Sequence, residues 1–345
     1  MNKILITGNN GYIGTVLTHF LKGKGYYIKG IDADYFEGFA QNGYEKSDEQ
    51  CIKDIRDITV DDIKGCDFII HLAALSNDPL GEFDPVLTEE INYKATVSLA
   101  DKARKSSVGR FIYSSSQSMY GVSDTDEELE EDNSKKNPVT AYARTKWEAE
   151  QKIKALSGNG FTVACLRPST VFGRSPKFRC DIVFNNLVAC AFTTGRIVVK
   201  SDGTPWRPVV HVHDVCKAFH AMIDAPEELV SGESFNVGIA NGNFTVRELA
   251  EAAAKAVPGC ELVFTGEHTD SRTYKVSFNK ILNKMVDYYK PEWNLENGGK
   301  ELVEFFREIN LTEEEFKGRR TNRLAQLKYL VDNKILDRKF HRINE

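Results

Sequence analysis

An α/β fold is predicted, built on a doubly wound parallel sheet with a smaller, interleaved C-terminal α/β domain. Three observations carry this. Through the first half of the 345-residue chain, β-branched apolar runs alternate with amphipathic helical stretches, the pattern of a parallel sheet covered on both faces. A glycine-rich turn follows the first such run directly. From about residue 174 the strict alternation weakens, which suggests a second unit interleaved with the first.

Taken in order, the strands are KILITG (3–8), YIKGID (27–32), DFIIHLA (67–73), RFIYSS (110–115) and TVACLRP (162–168). Helical patterns lie between them at 12–24, 85–106 and 139–157. The acidic stretch DTDEELEEDN (124–133) reads as a solvated loop, because runs of like charge repel and resist packing. The tail from 311 to 341 reads as helical. Its Leu324, Leu327 and Val331 fall at helix-face spacing and are expected to dock on the protein's own core.

Bulk properties narrow the function. With 45 basic and 50 acidic residues the net charge is −5, so neither a nucleic-acid-binding field nor a membrane-surface patch is indicated. Anions must then be held by local arginines or backbone amides. The N-terminus turns into glycine-rich sequence before any stretch long enough for a signal peptide, and no run approaches membrane-spanning length, so a cytoplasmic location is expected. Seven scattered cysteines never form C-x-x-C and read as reduced thiols. His211 and His213 share a strand face, but no carboxylate or cysteine stands at a convincing spacing, so no metal is expected.

The turn TGNNGYIG (7–14) places Gly8, Gly11 and Gly14 between a strand and a helix. Glycine permits close backbone approach, so the helix start can present free N–H groups and its positive dipole end to a diphosphate. Three glycines could equally make a plain turn. The second strand, however, ends in Asp32, at the distance where a carboxylate accepts hydrogen bonds from an adenosine ribose and repels a 2′-phosphate. NAD is therefore favoured over NADP, with neighbouring Asp34 a competing candidate for the same role.

In YARTK, Tyr142 and Lys146 are four apart and share a helix face. YSSSQSMYG (113–121) follows the fifth strand and supplies Ser116 at the sheet edge where open α/β folds place their ligands. A nearby ammonium stabilises phenolate, which would let Tyr142 act as general base on a substrate hydroxyl while Ser116 orients the same oxygen.

Together TGxxGYIG, Asp32, HLAA (71–74), SSS–QSMYG (114–121) and YARTK (142–146) make the chain resemble the extended short-chain dehydrogenase/reductases, in their nucleotide-sugar epimerase and dehydratase branch. The resemblance covers nearly the whole chain. It implies a Rossmann domain for NAD over 1–173, with return segments near 208–240, and a nucleotide-sugar-binding domain over 174–345 that carries the helical tail.

Carried over position by position, it implies that Tyr12 and Ile13 face the pyrophosphate, Asp32 the ribose, Asp54 and Ile55 the adenine, and Leu72, Ala73 and Ala74 the middle of the dinucleotide. Asn92 matches a cofactor-side asparagine, Lys146 would also hold the nicotinamide ribose, and Pro168 would lie near the nicotinamide. On the substrate side it implies contacts from Thr170 and Asn186 and a diphosphate clamp of Arg207 and Arg272, since forked guanidinium groups suit paired phosphate oxygens. A homodimer is a further family expectation.

Removing the C4 hydroxyl proton while hydride passes to NAD gives a 4-keto sugar with three fates: return of hydride to the other face, elimination of water across C5 and C6, or release. Dehydration needs an acid for the departing C6 oxygen, yet Gln117 and Ser118 follow the catalytic hydroxyl here. The 4-epimerases of the branch carry an aromatic pair and an asparagine where this chain has Pro168, Ser169 and Thr170, which leaves the sugar open. The sequence is therefore read as an NAD-dependent nucleotide-sugar 4-epimerase or related C4 oxidoreductase. The alternatives are a 4,6-dehydratase, a 4-ketoreductase, and a dinucleotide-binding scaffold without activity.

Overall fold

The computed structural model describes residues 1–36, 38, 44–122, 127–267 and 273–343. One parallel sheet holds β1 (Lys3–Thr7), β2 (Tyr27–Asp32), β3 (Glu49–Ile52), β4 (Phe68–His71), β5 (Arg110–Ser114), β6 (Thr162–Pro168) and β7 (Glu233–Val237). Their order is β7-β6-β5-β4-β1-β2-β3, so the chain winds one way from β1 to β3 and the other way from β4 to β7. The switch between β1 and β4 opens a crevice at the carboxyl ends of the strands. The doubly wound sheet is as the sequence predicts.

Because side chains alternate along a strand, Ile4 and Ile6 face one side of the sheet and Leu5 the other. On the first side α1 (Tyr12–Gly23) and a helix at Val212–Asp224 bury Val16, Leu17, Val215 and Phe219 against Ile112 and Leu166. On the second, α2 (85–105) and α3 (Ala141–Lys154) bury Leu99, Ala149 and Ile153 against Ile69, Phe111 and Val163. The middle of α2, Glu89–Ala95, widens into a π-helical turn. There Asn92 donates to the Leu75 carbonyl at 3.1 Å and accepts the Leu75 N–H at 2.8 Å.

A third apolar cluster, around Phe178, Phe184, Val188, Leu249, Leu302 and Phe306, joins α4 (Val183–Thr194), α5 (Val246–Ala256) and α6 (Leu295–Glu308). The tail contributes α7 (Arg323–Asp332), whose Leu327 and Leu330 sink with Leu336 and Phe340 into the second sheet-facing cluster. Leu324 and Val331 pack against it, so the expected docking is what the structure shows.

The acidic stretch differs from expectation over its described part, residues 127–133. Glu128–Leu129 pairs in parallel with Lys275–Val276, and Glu131 is only 5% exposed. Its carboxylate accepts the Asn236 N–H at 2.7 Å, which makes burial of the charge tolerable. Among the described residues no helix is long and apolar enough to cross a membrane.

Candidate functional site

The crevice is an elongated cavity of about 560 Å³, within the usual range for small-molecule sites. At one end Gly8 turns with φ +77°, and a Cβ there would lie 2.7 Å from the Ala73 nitrogen. A Cβ on Gly14 would lie 2.1 Å from the Gly8 carbonyl oxygen. The three backbone segments therefore touch, and Gly11, Tyr12 and Ile13 bring the start of α1 to the cavity wall. Gly11 caps α1 with no side-chain hydrogen bond, which leaves the helix's first N–H groups for another acceptor.

Asp32, at the end of β2, accepts the N–H groups of Asn10 at 3.0 Å and Asp34 at 2.7 Å and lines the cavity. Asp34, at φ 52°, turns toward Asn10 and Lys177, each 3.4 Å away, so Asp32 is the better placed of the two. Asp54 and Ile55 line the same end, the carboxylate gripped by Arg56 at 2.7 and 2.9 Å. Leu72, Ala73 and Ala74 form the middle of the wall.

At the other end stand Ser116, Tyr142, Lys146, Pro168, Thr170 and Arg207. Thr140 caps α3 by accepting the Ala143 N–H at 3.1 Å, which sets Tyr142 in the first turn with Lys146 one turn on. Gly81 lets the backbone of the Asp78–Gly81 turn lie on Tyr142; a Cβ there would come within 2.8 Å of the tyrosine Cβ. Ser116 lines the cavity with Tyr142, and its hydroxyl is near enough to favour the phenolate.

The electrostatics correct one expectation. Lys146 does not hold Tyr142 acidic: desolvation pushes the phenol up to about 12, only partly offset by the nearby Ser116 hydroxyl. The ammonium instead donates to the Ser114 carbonyl at 2.7 Å, and burial pushes it down to about 7. Among the described residues no ion pair offsets the burial of either group, and the field of Arg179 lowers the phenol's pKa only in part.

Two expected residues lie elsewhere. Asn92 sits behind the wall, pinning the Leu75 backbone. Asn186 is exposed and donates to the Cys180 carbonyl, whereas its neighbour Asn185 is buried and donates to the Tyr12 hydroxyl. Arg272 falls outside the described residues.

A glycine cradle, the carboxylate of Asp32 at a strand end and a Ser-Tyr-Lys set thus line one cleft. The model of the NAD dependent epimerase/dehydratase family matches residues 4–238. The chain belongs to this family.

It is an enzyme of the epimerase and dehydratase kind, and NAD is the cofactor. The UDP-glucose 4-epimerase of Mycolicibacterium smegmatis is 28% identical over 327 residues, covering 88% of this chain and 98% of that protein. The dTDP-D-glucose 4,6-dehydratase of Mus musculus is 25% identical over 326 residues, covering 88% of each. Among solved structures, the UDP-glucose 4-epimerase of Thermotoga maritima with UDP-glucose superimposes with a TM-score of 0.75 at 21% identity, over 90% of this chain and all of that one. That likeness shows the shared fold.

The structure adds several cavity-lining residues that the motifs did not reveal. Arg179 is 8% exposed and lines the cavity, paired with Asp181 at 2.7 and 3.0 Å and with Ser76 at 3.1 Å. Arg323, from the tail, lines it too and is 2% exposed. Asp78 lines the chemical end, accepts from Thr140 at 2.6 Å, and raises the Tyr142 pKa through its field. The R-x-D spacing of 179 and 181 is a faint signal for the first pair; nothing local marks Arg323.

Proposed function

We propose that the protein is a nucleotide-sugar 4-epimerase that oxidises the sugar at C4 and returns hydride to the opposite face within one turnover. The observation that carries the reading is the arrangement beside Tyr142. The hydroxyl of Ser116 lies near the phenol, and neither following residue brings a carboxyl group: Gln117 turns away to donate to the Arg167 carbonyl at 3.0 Å, and Ser118 is neutral. The described acidic residues at 127–133 do not line the cavity, which further disfavours elimination.

The cleft fits NAD through the space kept by Gly8 and Gly14 and through Asp32 at the ribose end. When bound, NAD supplies a hydride acceptor that carries positive charge. The chain's own residues do the rest. Tyr142 takes the C4 hydroxyl proton on its phenolic oxygen, Ser116 orients that alcohol, and Lys146 would hold the cofactor's ribose. Arg207 lines the same cavity and is proposed to clamp a nucleotide diphosphate, with Arg272 as its partner. Thr170 faces the sugar. A UDP-sugar is the preferred substrate, because relatives of both kinds named for UDP-glucose epimerisation align over most of the chain. The working species is read as a cytoplasmic homodimer, which light scattering checks.

One observation favours a second reading, 4,6-dehydration. Asp78 places a carboxylate at the cavity wall close enough to influence Tyr142, and it could protonate a leaving oxygen.

The test is incubation with a panel of UDP-, GDP-, dTDP- and CDP-sugars in deuterated water without added cofactor. A product of unchanged mass supports epimerisation. Loss of water with deuterium at C5, abolished by Asp78→Asn, overturns it in favour of dehydration.

A further inference from the structure

The tail does more than cover the core, for it joins both sides of the cleft at the Asp32 end. Toward the sheet, the Tyr35 hydroxyl donates to the Phe340 carbonyl at 2.5 Å, Arg56 to the Lys339 carbonyl at 2.7 Å, and Arg342 to the Asp34 carbonyl at 2.9 Å. Gln326 donates to the Tyr35 carbonyl at 3.1 Å, and Arg320 to that of Gly38 at 2.7 Å. Toward the segment before α4, Arg323 donates its backbone N–H to Asp181 at 3.2 Å and its guanidinium to the Lys177 carbonyl at 2.6 Å.

The guanidinium of Arg323 also lies over the Phe36 ring, 4.5 Å from its centroid. Among the described residues Lys177 is its one hydrogen-bond acceptor, although a guanidinium carries five N–H donors. The cavity lies beside it. Burial and the like charge of Arg179 hold the Arg323 pKa down to about 9, with Asp181 and Asp32 acting the other way. Both arginines act on Tyr12, the first residue of α1. Two buried arginines thus line the cavity together with the electropositive start of α1, Arg179 chelated by the Asp181 carboxylate and Arg323 tied to that carboxylate through its backbone N–H. Among the described residues the Arg323 guanidinium has no carboxylate partner of its own, an arrangement that is costly when the cleft is empty and favourable beside a doubly charged anion.

We propose that Arg323, carried by the C-terminal tail, forms with Arg179 the second half of the dinucleotide diphosphate site, facing the glycine-rich turn, so that residues 319–343 act as a strap retaining NAD. The proposal rests on NAD occupying the cleft. A diphosphate is also part of a nucleotide-sugar, but Arg323 lies among Asp32, Phe36 and Tyr12, which is the adenosine half. The forked guanidinium donates to diphosphate oxygens, and the strap's hydrogen bonds to residues 34–38 close the ribose side. A strap of this kind suits an enzyme that regenerates its cofactor in place.

The test compares wild type, Arg323→Met and Arg323→Lys, with Lys328→Ala on the exposed face of the same helix as control. NAD retained through purification is measured by chromatography of the denatured protein, and affinities for NAD, ADP-ribose, adenosine and UDP by calorimetry. Arg323→Met should weaken NAD and ADP-ribose roughly 10- to 100-fold, the effect of losing a charge-assisted hydrogen bond. It should leave adenosine and UDP unchanged and the apo-protein's melting temperature equal or higher, with Arg323→Lys intermediate and Lys328→Ala like wild type. NAD affinity unchanged by Arg323→Met overturns the proposal, as does equal weakening of adenosine or a loss confined to UDP. Wild type that binds no NAD would refute the cofactor reading instead. Should Arg323→Met fail to fold, hydrogen exchange on wild type decides: NAD must slow exchange across 319–343, and no slowing overturns the strap.

Discussion

The ammonium of Lys146 lies 2.7 Å from the carbonyl oxygen of Ser114, tying the helix of Tyr142 to the strand that leads to Ser116. Desolvation holds this lysine at about 7, against 10.5 in an unfolded chain. Between those values the unfolded state binds a proton that the folded state lacks. This group therefore makes stability rise with pH across that window, and its full penalty is present below about pH 7. Lys146→Met should make the cofactor-free protein more stable near pH 7, with the gain shrinking toward about pH 10. Urea unfolding at several pH values checks this, and a pH-independent gain would contradict it.

Tyr142→Phe keeps the Cβ and backbone that lie against Gly81 and removes the phenolic oxygen near Ser116. Turnover should fall by about 10²–10⁴-fold, the usual worth of a positioned acid-base group. NAD content should stay as in wild type. A non-catalytic scaffold predicts no measurable change in function, so steady-state rates on the converted sugar separate the two.

Glycines in the cradle and outside it should behave oppositely. Gly14→Ala drives a methyl to within 2.1 Å of the Gly8 carbonyl, and should cost about 1–3 kcal/mol of overpacking together with most of the bound NAD. Gly23, at the end of α1, has nothing within 4 Å of its would-be Cβ. Gly23→Ala should be neutral or stabilise by up to about 1 kcal/mol. Thermal unfolding and nucleotide content read both.

Beneath the site, Glu150 and Arg167 form an ion pair with essentially no exposure, 2.5 Å apart, joined by Ser234 at 2.7 Å and Tyr120 at 3.0 Å. Glu150→Ala leaves a buried guanidinium without its counter-charge and should cost about 3–5 kcal/mol. Replacing both partners together, Glu150→Leu with Arg167→Met, should cost less than the single change. Denaturant titrations of the three proteins decide; a double variant no better than the single would disprove the account.

These pairs also explain which parts of the molecule were legible in advance. β1, β4, β5 and β6 announce themselves because their apolar runs are buried on both faces, whereas β2 shows itself through Ile28 and Ile31 after the glycine turn. β7 hides because its buried Ser234 and Asn236 are polar, and they are satisfied by Glu150 and Glu131, 84 and 105 residues earlier. β3 hides because it is a four-residue edge strand with no buried position.

The same logic governs the site. Gly8, Gly14, Asp32, Ser116 and Tyr142 are readable because a turn or helix start fixes each one locally. Arg179 and Arg323 are set by contacts 103 and 146 residues away, with Ser76 and Lys177; the R-x-D spacing marks the first only faintly, and no local pattern encodes the second. The acidity of Tyr142 is not legible from spacing, because four residues on a helix show proximity but not desolvation, and burial is the largest influence on this phenol.

The hydrogen bonds that join Arg320, Gln326, Phe340 and Arg342 to Asp34, Tyr35 and Gly38 have a consequence during synthesis. The loop after β2 leaves the ribosome early, yet its partners follow nearly 300 residues later, a delay of about 15–60 s at ordinary elongation rates. Until then the nascent chain can build its sheet but not close the adenosine wall. A product cut short before residue 320 would carry every motif of the family and still present an open, protease-accessible edge.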